Sequence, residues 1–443
     1  MKTFYRFLTA GICVVLVSLF SGCTSSNSAV CSSAFSGIRQ IGVTSLNVWL
    51  YGSALDSECN LYITGFVNAD LNGETKTGDS DMFVVKYDKA GDLQWTRLLG
   101  AASQVVYGYS VATGPQGAVY VTGLTTGALA DQSMTGTQDL FVAKYNTDGD
   151  RLWVRMSGVV SNDTFGYDLA TDVEGNLFVT GQTWGDLDGN TRIGSEDGFL
   201  MKYDADGNKA WTQTLGAASA FTNPGGVRAG ASGAVYIAGY TSGSLPTASL
   251  TGTMDAFVAK YDTDGNVTWI KQLGLSGSAT NARSLAVDVN ENIFLAGVTD
   301  GAFEGTLTGT QDLFIAKYDA SGTVAWTHQL GASGSGILMD FNSAGVDAEG
   351  NVYVGACTSQ GIDGNSLVGT LDLFITKYSS AGVKQWTRET GATGHPSRVL
   401  SLPVSLDGNV FATGITDGGM PGQTLIGDSD SYIVPFDKDG NQL

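Results

Sequence analysis

Histidine is almost missing from this 443-residue chain: only His328 and His395 occur. Two isolated imidazoles cannot build a His-x-x-x-His or comparable metal spacing. No Gly-x-Ser-x-Gly elbow is present, and no Gly-rich loop opens a helix to cradle a phosphate. Positive charge is scarce as well. Lys and Arg number 23 against 43 Asp and Glu, a formal net charge of −20, which argues against nucleic acid and against anionic lipid head groups. Proline is limited to 7 residues beside 61 glycines, so the chain is rich in turns without being of low complexity. Beyond Phe20 no apolar run is long enough to span a bilayer as a helix.

What the chain does have is repetition. The stretch DAFVAKYDTDGNVTWIKQLG, Asp255 to Gly274, recurs in the same frame from Asp81, Asp139, Asp197, Asp312 and Asp372. A truncated copy starts at Asp430. The tryptophans Trp95, Trp153, Trp211, Trp269, Trp326 and Trp386 lie 57 to 60 residues apart, and a fixed period of that size means a repeat architecture. Within one copy, Phe257, Ala259 and Tyr261 alternate with Val258, Lys260 and Asp262, which is strand periodicity. Asp262 to Gly265 then supplies a turn and a second alternating run follows, so the copy is a hairpin. A second hairpin, Ser284 to Thr299, precedes it. Four antiparallel strands per unit cannot bury both faces alone and must stack on their neighbours. The expected fold is all-β, a seven-bladed β-propeller of four-stranded antiparallel blades.

The ends of the chain predict how the ring closes. The last copy stops at Leu443, where its fourth strand should begin, and Ile38 to Gly42 matches Thr96 to Gly100. An N-terminal strand therefore completes the last blade and removes two open edges. The blades are expected at about 43–100, 101–158, 159–216, 217–274, 275–331, 332–391 and 392–443, the last joined by 37–42, so that one domain covers 37–443.

Residues 1–22 read as a secretion signal: Lys2 and Arg6, then an apolar run from Phe7 to Phe20. Ser21-Gly22-Cys23 resembles a bacterial lipoprotein processing site, which implies that Cys23 becomes the lipidated N-terminus. Thr24 after it resembles outer-membrane sorting. Residues 23–36 are Ser-rich and read as a tether, and a lipid there would anchor the chain to a membrane without a spanning helix. Removing Lys2 and Arg6 with the signal takes the formal charge from −20 to about −22. Cys59 occupies a strand 1–2 turn where other copies have Gly117, Gly175, Gly233 or Gly350, and Cys31 lies just before the closing strand. Those positions fall at the same end of the sheet, so a Cys31–Cys59 disulfide is a candidate lock on the closure. Cys357 aligns with core positions.

The candidate functional residues lie on the end of the ring from which the strand 2–3 loops and strand 4–1 connections emerge, both read as long, the former also as variable. Loops of that kind on a rigid scaffold carry binding. Asp186, Asp188 and Asn190 have the alternating oxygen donors of a calcium loop with Gly189 for the bend, and the same residues also make an ordinary polar turn. The strand-1 position that should line the channel reads Ala54, Ala112, Ala170, Arg228, Ala286, Gly345 and Pro403. Arg228 breaks the set and either meets a carboxylate ligand or pairs with a neighbouring blade. His395 stands in a strand 4–1 connection as the candidate base. The seven Asp that open strand 3 read as structural, holding blades together, as does the Lys five positions on.

The pattern Asp-x-Phe-Val-x-Lys-Tyr-Asp-x-x-Gly-x-x-x-Trp, paired with Asn-x-Tyr/Phe-Val-x-Gly as at Asn176 to Gly181, resembles the SBBP-type bacterial β-propeller repeat and extends from Ile38 to Leu443. The resemblance implies the fold and a secreted or surface setting. The hairpin also looks like repeats of quinoprotein dehydrogenases and of the lipoprotein of the outer-membrane assembly machinery, whose rings have eight blades. Together these features lead to a lipid-anchored, monomeric envelope propeller, a non-catalytic binding or scaffold module for a protein or glycan partner, without nucleic acid. The alternatives are an envelope hydrolase or lyase with carboxylates at the channel mouth and an outer-membrane assembly scaffold.

Overall fold

A computed structural model of the chain describes residues 34–443. Its 28 strands form seven four-stranded antiparallel sheets. Blade 1 is typical, with strands Val48–Leu55, Leu61–Val67, Asp81–Tyr87 and Leu93–Leu99. The first strand of each blade is the inner strand, and the inner strands together line the central channel. Helix is confined, among the described residues, to one 3₁₀ turn at Pro115–Gly117.

The ring closes as the sequence predicts. Arg39–Ile41 pairs antiparallel with Asp430–Phe436, with Arg39 opposite Ile433 and Ile41 opposite Ser431. A small steric detail explains why Gly42 ends this strand. In each blade the strand-3 Asp is fully buried or nearly so and accepts two backbone N–H bonds from the end of the strand 2–3 loop. In blade 1, Thr77 N donates to Asp81 Oδ2 and Gly78 N to Oδ1, both at 2.7 Å. The carboxylate then fills the space beside the glycine that ends strand 4: a Cβ on Gly100 would lie 2.0 Å from Asp81 Oδ1, and one on Gly42 would lie 1.9 Å from Asp430 Oδ1. The N-terminal strand thus supplies the glycine that Asp430 needs. These aspartates fasten a loop within their own blade; they do not hold blades together as expected, because both oxygens are used locally.

Contact between blades falls to the lysines and tryptophans. Lys86 Nζ and Trp95 Nε1 both donate to Thr147 O on the strand 3–4 turn of blade 2, at 3.2 and 3.0 Å. Lys317 and Trp326 share Ser380 O, and Lys377 and Trp386 share Lys438 O, in the same way. Each turn carries a glycine at positive φ, such as Gly149 at 83°, and the tryptophan of the preceding blade packs on it. At the closure, Phe35 takes the place of that tryptophan against Gly91, and Arg39 Nε donates to Gly91 O at 3.2 Å. The hydrophobic clusters straddle blade boundaries. One joins Leu50, Ile63 and Phe83 of blade 1 to Phe411 and Ile433 of blade 7 through Phe35 and Ile41. Stacking, not the single blade, buries the core.

The strand 2–3 loops differ in sequence but hardly in length, with 13 residues in six blades and 12 in blade 5. The strand 4–1 connections are shorter than expected: the inner strand of blade 5 begins at Thr280, so Thr280 to Arg283 belongs to the sheet and six residues remain. The turns follow the expected chemistry. Asp262 Oδ1 accepts from Asp264 N at 3.0 Å and Asn266 N at 2.8 Å, and Asp204 does the same for Asp206 and Asn208. Cys59 sits at φ 70°, a conformation other blades give to glycine, and it is disulfide-bonded. Its expected partner Cys31, like Cys23, lies outside the described residues. Cys357 is a free, buried thiol that accepts from Val399 N at 3.3 Å, and burial pushes it up to about 12.

Candidate binding site at the channel mouth

Six of the seven inner strands carry a β-bulge near their start. The ladder skips a residue between Leu50 and Gly52, Gly108 and Ser110, Gly166 and Asp168, Pro224 and Gly226, Ala282 and Ser284, and Val399 and Ser401. The skipped residues are Tyr51, Tyr109, Tyr167, Gly225, Arg283 and Leu400. A bulge leaves its extra residue unpaired and re-aims the side chain. Here it rings the mouth of the channel, at the end where the strand 2–3 loops and strand 4–1 connections emerge, with side chains that differ from blade to blade.

Blade 6 departs from the pattern. Asp312 and Asp372 open strand 3 of consecutive blades 60 residues apart, where the blades before lie 57 or 58 apart. The added length lies at the start of the inner strand, which is reduced to Ala344–Val346, while Leu338 bridges to Cys357. Asp340 and Phe341, between these paired points, are carried into the mouth. Phe341 crosses toward blade 4: it stacks on Tyr167 at 5.8 Å with an interplanar angle of 15°, and it occupies the space a Cβ on Gly225 would need. Gly225 is the one bulge position without a side chain, and Phe341 fills it.

The result is a cup of about 280 Å³ lined by Tyr51, Tyr109, Tyr167, Asp340, Phe341 and Leu400. Its rings touch in succession, Tyr51 edge-on to Tyr109 at 5.3 Å and Tyr109 beside Tyr167 at 6.1 Å. Behind them Trp49, Phe66, Tyr107, Phe165 and Trp184 continue the aromatic surface over blades 1 to 3. Burial raises the Tyr51 phenol to about 12 and those of Tyr109 and Tyr167 further, so all three are neutral hydroxyls near neutral pH. In the same lining Asp340 accepts from Arg398 Nη2 through both oxygens, at 3.0 and 2.8 Å. Arg283 lies with its guanidinium 4.9 Å from the Tyr240 ring and 5.3 Å from Phe341.

Deeper along the axis a smaller cavity of about 70 Å³ is lined by Ala54, Ala112, Arg228, Ala286, Gly345 and Pro403, among others. Arg228 faces it but is paired with Asp168 of the neighbouring blade at 2.7 Å. Asp168 also accepts from Ser110 Oγ and Val227 N, so this charge pair is well satisfied. His395 is exposed and away from the cup, its side chain against Gly418 and without a hydrogen bond among the described residues.

Asp186, Asp188 and Asn190 form a polar turn. Asp188 and Gly189 both have positive φ, 50° and 83°, as a two-residue type I′ turn requires. Asp186 Oδ1 accepts from Arg192 N at 2.9 Å, Asp188 Oδ2 takes Lys209 Nζ and Thr212 Oγ1 at 2.6 Å each, and Asn190 turns its amide to Leu187 O and Thr212 O. Asp188 thus already holds a cation, in Lys209. Asp363 repeats the device with Lys384 and Thr387. Among the described residues no group of three or more His, Cys, Asp or Glu is placed to hold a metal ion.

Residue numbers for the cup were not singled out from sequence, although the longer Asp312–Asp372 spacing marked the irregular blade. Residues 94–129, 152–188 and 268–304 match the model of the SBBP beta-propeller repeat. The chain is 26% identical over 410 residues to the regulatory protein FlaEY of Caulobacter vibrioides, covering 82% of this chain and 41% of that protein. It is 25% identical over 405 residues to an uncharacterized WD repeat-containing protein of Acanthamoeba polyphaga mimivirus, covering 68% and 29%. The chain therefore spans less than half the length of either relative. Among solved structures it is similar to virginiamycin B lyase from Staphylococcus aureus, at 8% identity and TM-score 0.48, covering 90% of this chain and 98% of that one. It is also similar to an ulvan lyase of a new polysaccharide lyase family, at 10% identity and TM-score 0.49, covering 91% and 97%.

Proposed function

We propose that this chain, built of SBBP-type β-propeller repeats, is a non-catalytic binding module of the bacterial envelope that takes a protein or glycan partner at the channel mouth. The observation that carries the reading is the asymmetry of the mouth. Aromatic side chains gather over blades 1 to 3 while the framework behind them repeats. Contact surfaces are enriched in tyrosine, tryptophan and arginine because these present large rigid area with a polar tip. Binding is favoured over turnover by the state of the carboxylates that face the axis. Asp340 has both oxygens on Arg398, and Asp168 is taken up by Arg228, Ser110 and Val227, so neither is a lone carboxylate open to a substrate. A lipid on Cys23 would anchor the monomer, a reading supported by Lys2, Arg6 and the apolar run before Ser21-Gly22-Cys23, with Thr24 favouring the outer membrane.

Two experiments test this. Crosslinked capture from native envelopes compares wild type with a Tyr51→Ala/Tyr109→Ala variant of equal thermal stability, and a partner or glycan retained only by wild type supports the mouth. Identical recoveries, or none specific to either bait, refute it. Labelling with a radiolabelled fatty acid should mark wild type and not Cys23→Ser; equal labelling, or no label on wild type, sinks the anchor.

A further inference from the structure

Resting on the mouth as the binding site, we infer that the cup takes a single neutral pyranose ring of a saccharide. Four features define the chemistry. The walls are the rings of Tyr51, Tyr109, Tyr167 and Phe341 with Leu400, and they suit a ligand with a flat apolar C–H face. Tyr167 spends its hydroxyl on Gln182 Oε1 at 3.1 Å, whereas the hydroxyls of Tyr51 and Tyr109 make no hydrogen bond among the described residues and are not sealed from solvent. They are free to bond a ligand. Asp340, in the same wall, adds a carboxylate acceptor, steadied by Arg398, whose Nη2 donates to both its oxygens at 3.0 and 2.8 Å. The volume, about 280 Å³, falls just below the roughly 300–1,000 Å³ of small-molecule sites, which suits one ring and no more.

Other ligands fit this set of groups less well. A purely apolar or aromatic side chain would cover the Asp340 carboxylate with a surface that cannot bond it, and desolvating a charge without compensation is costly. A cation would find the carboxylate already neutralised by Arg398 and the Arg283 guanidinium just behind Phe341. A polyanionic chain would approach a protein of net charge −20 against repulsion. A pyranose has both an apolar face and adjacent hydroxyls that donate to a carboxylate and exchange hydrogen bonds with the phenols of Tyr51 and Tyr109.

The test uses the full propeller on an array of immobilised neutral hexose, deoxyhexose and N-acetylhexosamine oligomers beside uronate-containing chains. Isothermal titration with the methyl glycoside of the best-retained sugar follows. Retention of a neutral sugar is expected, at least 10-fold weaker in Tyr109→Ala and several-fold weaker in Asp340→Asn, with both variants still fully folded at the assay temperature. Val173→Ala, at the opposite end of the ring, should leave retention as it was. An array empty for wild type, a preference for uronate chains, or retention indifferent to both mouth variants overturns the saccharide. If a protein partner is then captured through the same tyrosines, the mouth remains a binding site and only its ligand class is wrong. If nothing depends on those tyrosines, both readings fall.

Discussion

The outer and inner edges of the same blades follow opposite rules. At the outer edge, strands 3 and 4 repeat Asp, Lys, Tyr, Gly and Trp in nearly every blade, and the Asp, Lys and Trp side chains have structural partners: a backbone N–H, a neighbouring turn, a glycine. At the inner edge, the bulge position reads Tyr51, Tyr109, Tyr167, Gly225, Arg283 and Leu400, with Phe341 reaching over from blade 6. Residues that hold a ring together must satisfy the same geometry seven times. Residues that read a single ligand on the axis need satisfy it only once and are free to differ. Identity between blades therefore marks structure here, and difference marks the site.

That contrast is broken most severely by attacking the outer edge. Asp255→Ala removes the buried carboxylate that accepts from Thr251 N and Gly252 N at 2.7 and 2.8 Å; at about 1.5–3 kcal/mol for a hydrogen bond to a charged group, this should be the largest loss in urea unfolding. Gly274→Ala sets a Cβ 1.7 Å from Asp255 Oδ1 and should cost about 1–3 kcal/mol by overpacking. The two share one space, so the double variant should lose less than the sum of the singles; strict additivity would show that the glycine has another reason. At the inner edge the order reverses. Tyr109→Ala removes a half-buried ring facing the cup and should change stability by under about 1–2 kcal/mol while weakening ligand retention at least 10-fold.

A smaller effect comes from Glu291, which stands at a turn where most blades have glycine. Burial raises its carboxyl, but bonds from Ser232 N at 2.7 Å and Tyr236 Oη at 2.8 Å, with Lys260 at 3.3 Å, outweigh it and hold the group below the usual 4.5. A depressed carboxyl adds stability that is fully present above its unfolded value and is lost as pH falls through its folded value. Glu291→Gln should therefore flatten the acid limb of the stability profile below about pH 4.5, where wild type declines; parallel profiles would remove Glu291 as a contributor.

Most of the ring could be read from the sequence for one physical reason. Side-chain alternation of period two and a repeat near 58 residues are properties of strands and of stacking, and both are written into Phe257, Lys260, Trp269 and their copies. The closing strand was legible because Gly42 answers to Gly100. The cup was not. A bulge shifts which side chain faces the axis by one residue, so a strict alternation from Ala54 places Tyr51 on the wrong side. Phe341 is reached only by folding extra residues of blade 6 across the mouth onto Gly225, a contact over 116 positions of sequence. The loops misled for a related reason: their sequences vary, but their lengths scarcely do, and the variation that shapes the cup lies in the inner strands.

The most direct test places a photo-crosslinking amino acid at Tyr109, at the mouth, and in a separate protein at Val173, exposed at the opposite end of the ring, and irradiates both in native envelopes. A discrete adduct is expected from position 109 and none from 173. An adduct from 173 alone, or the same adduct from both, would contradict the mouth as the binding site.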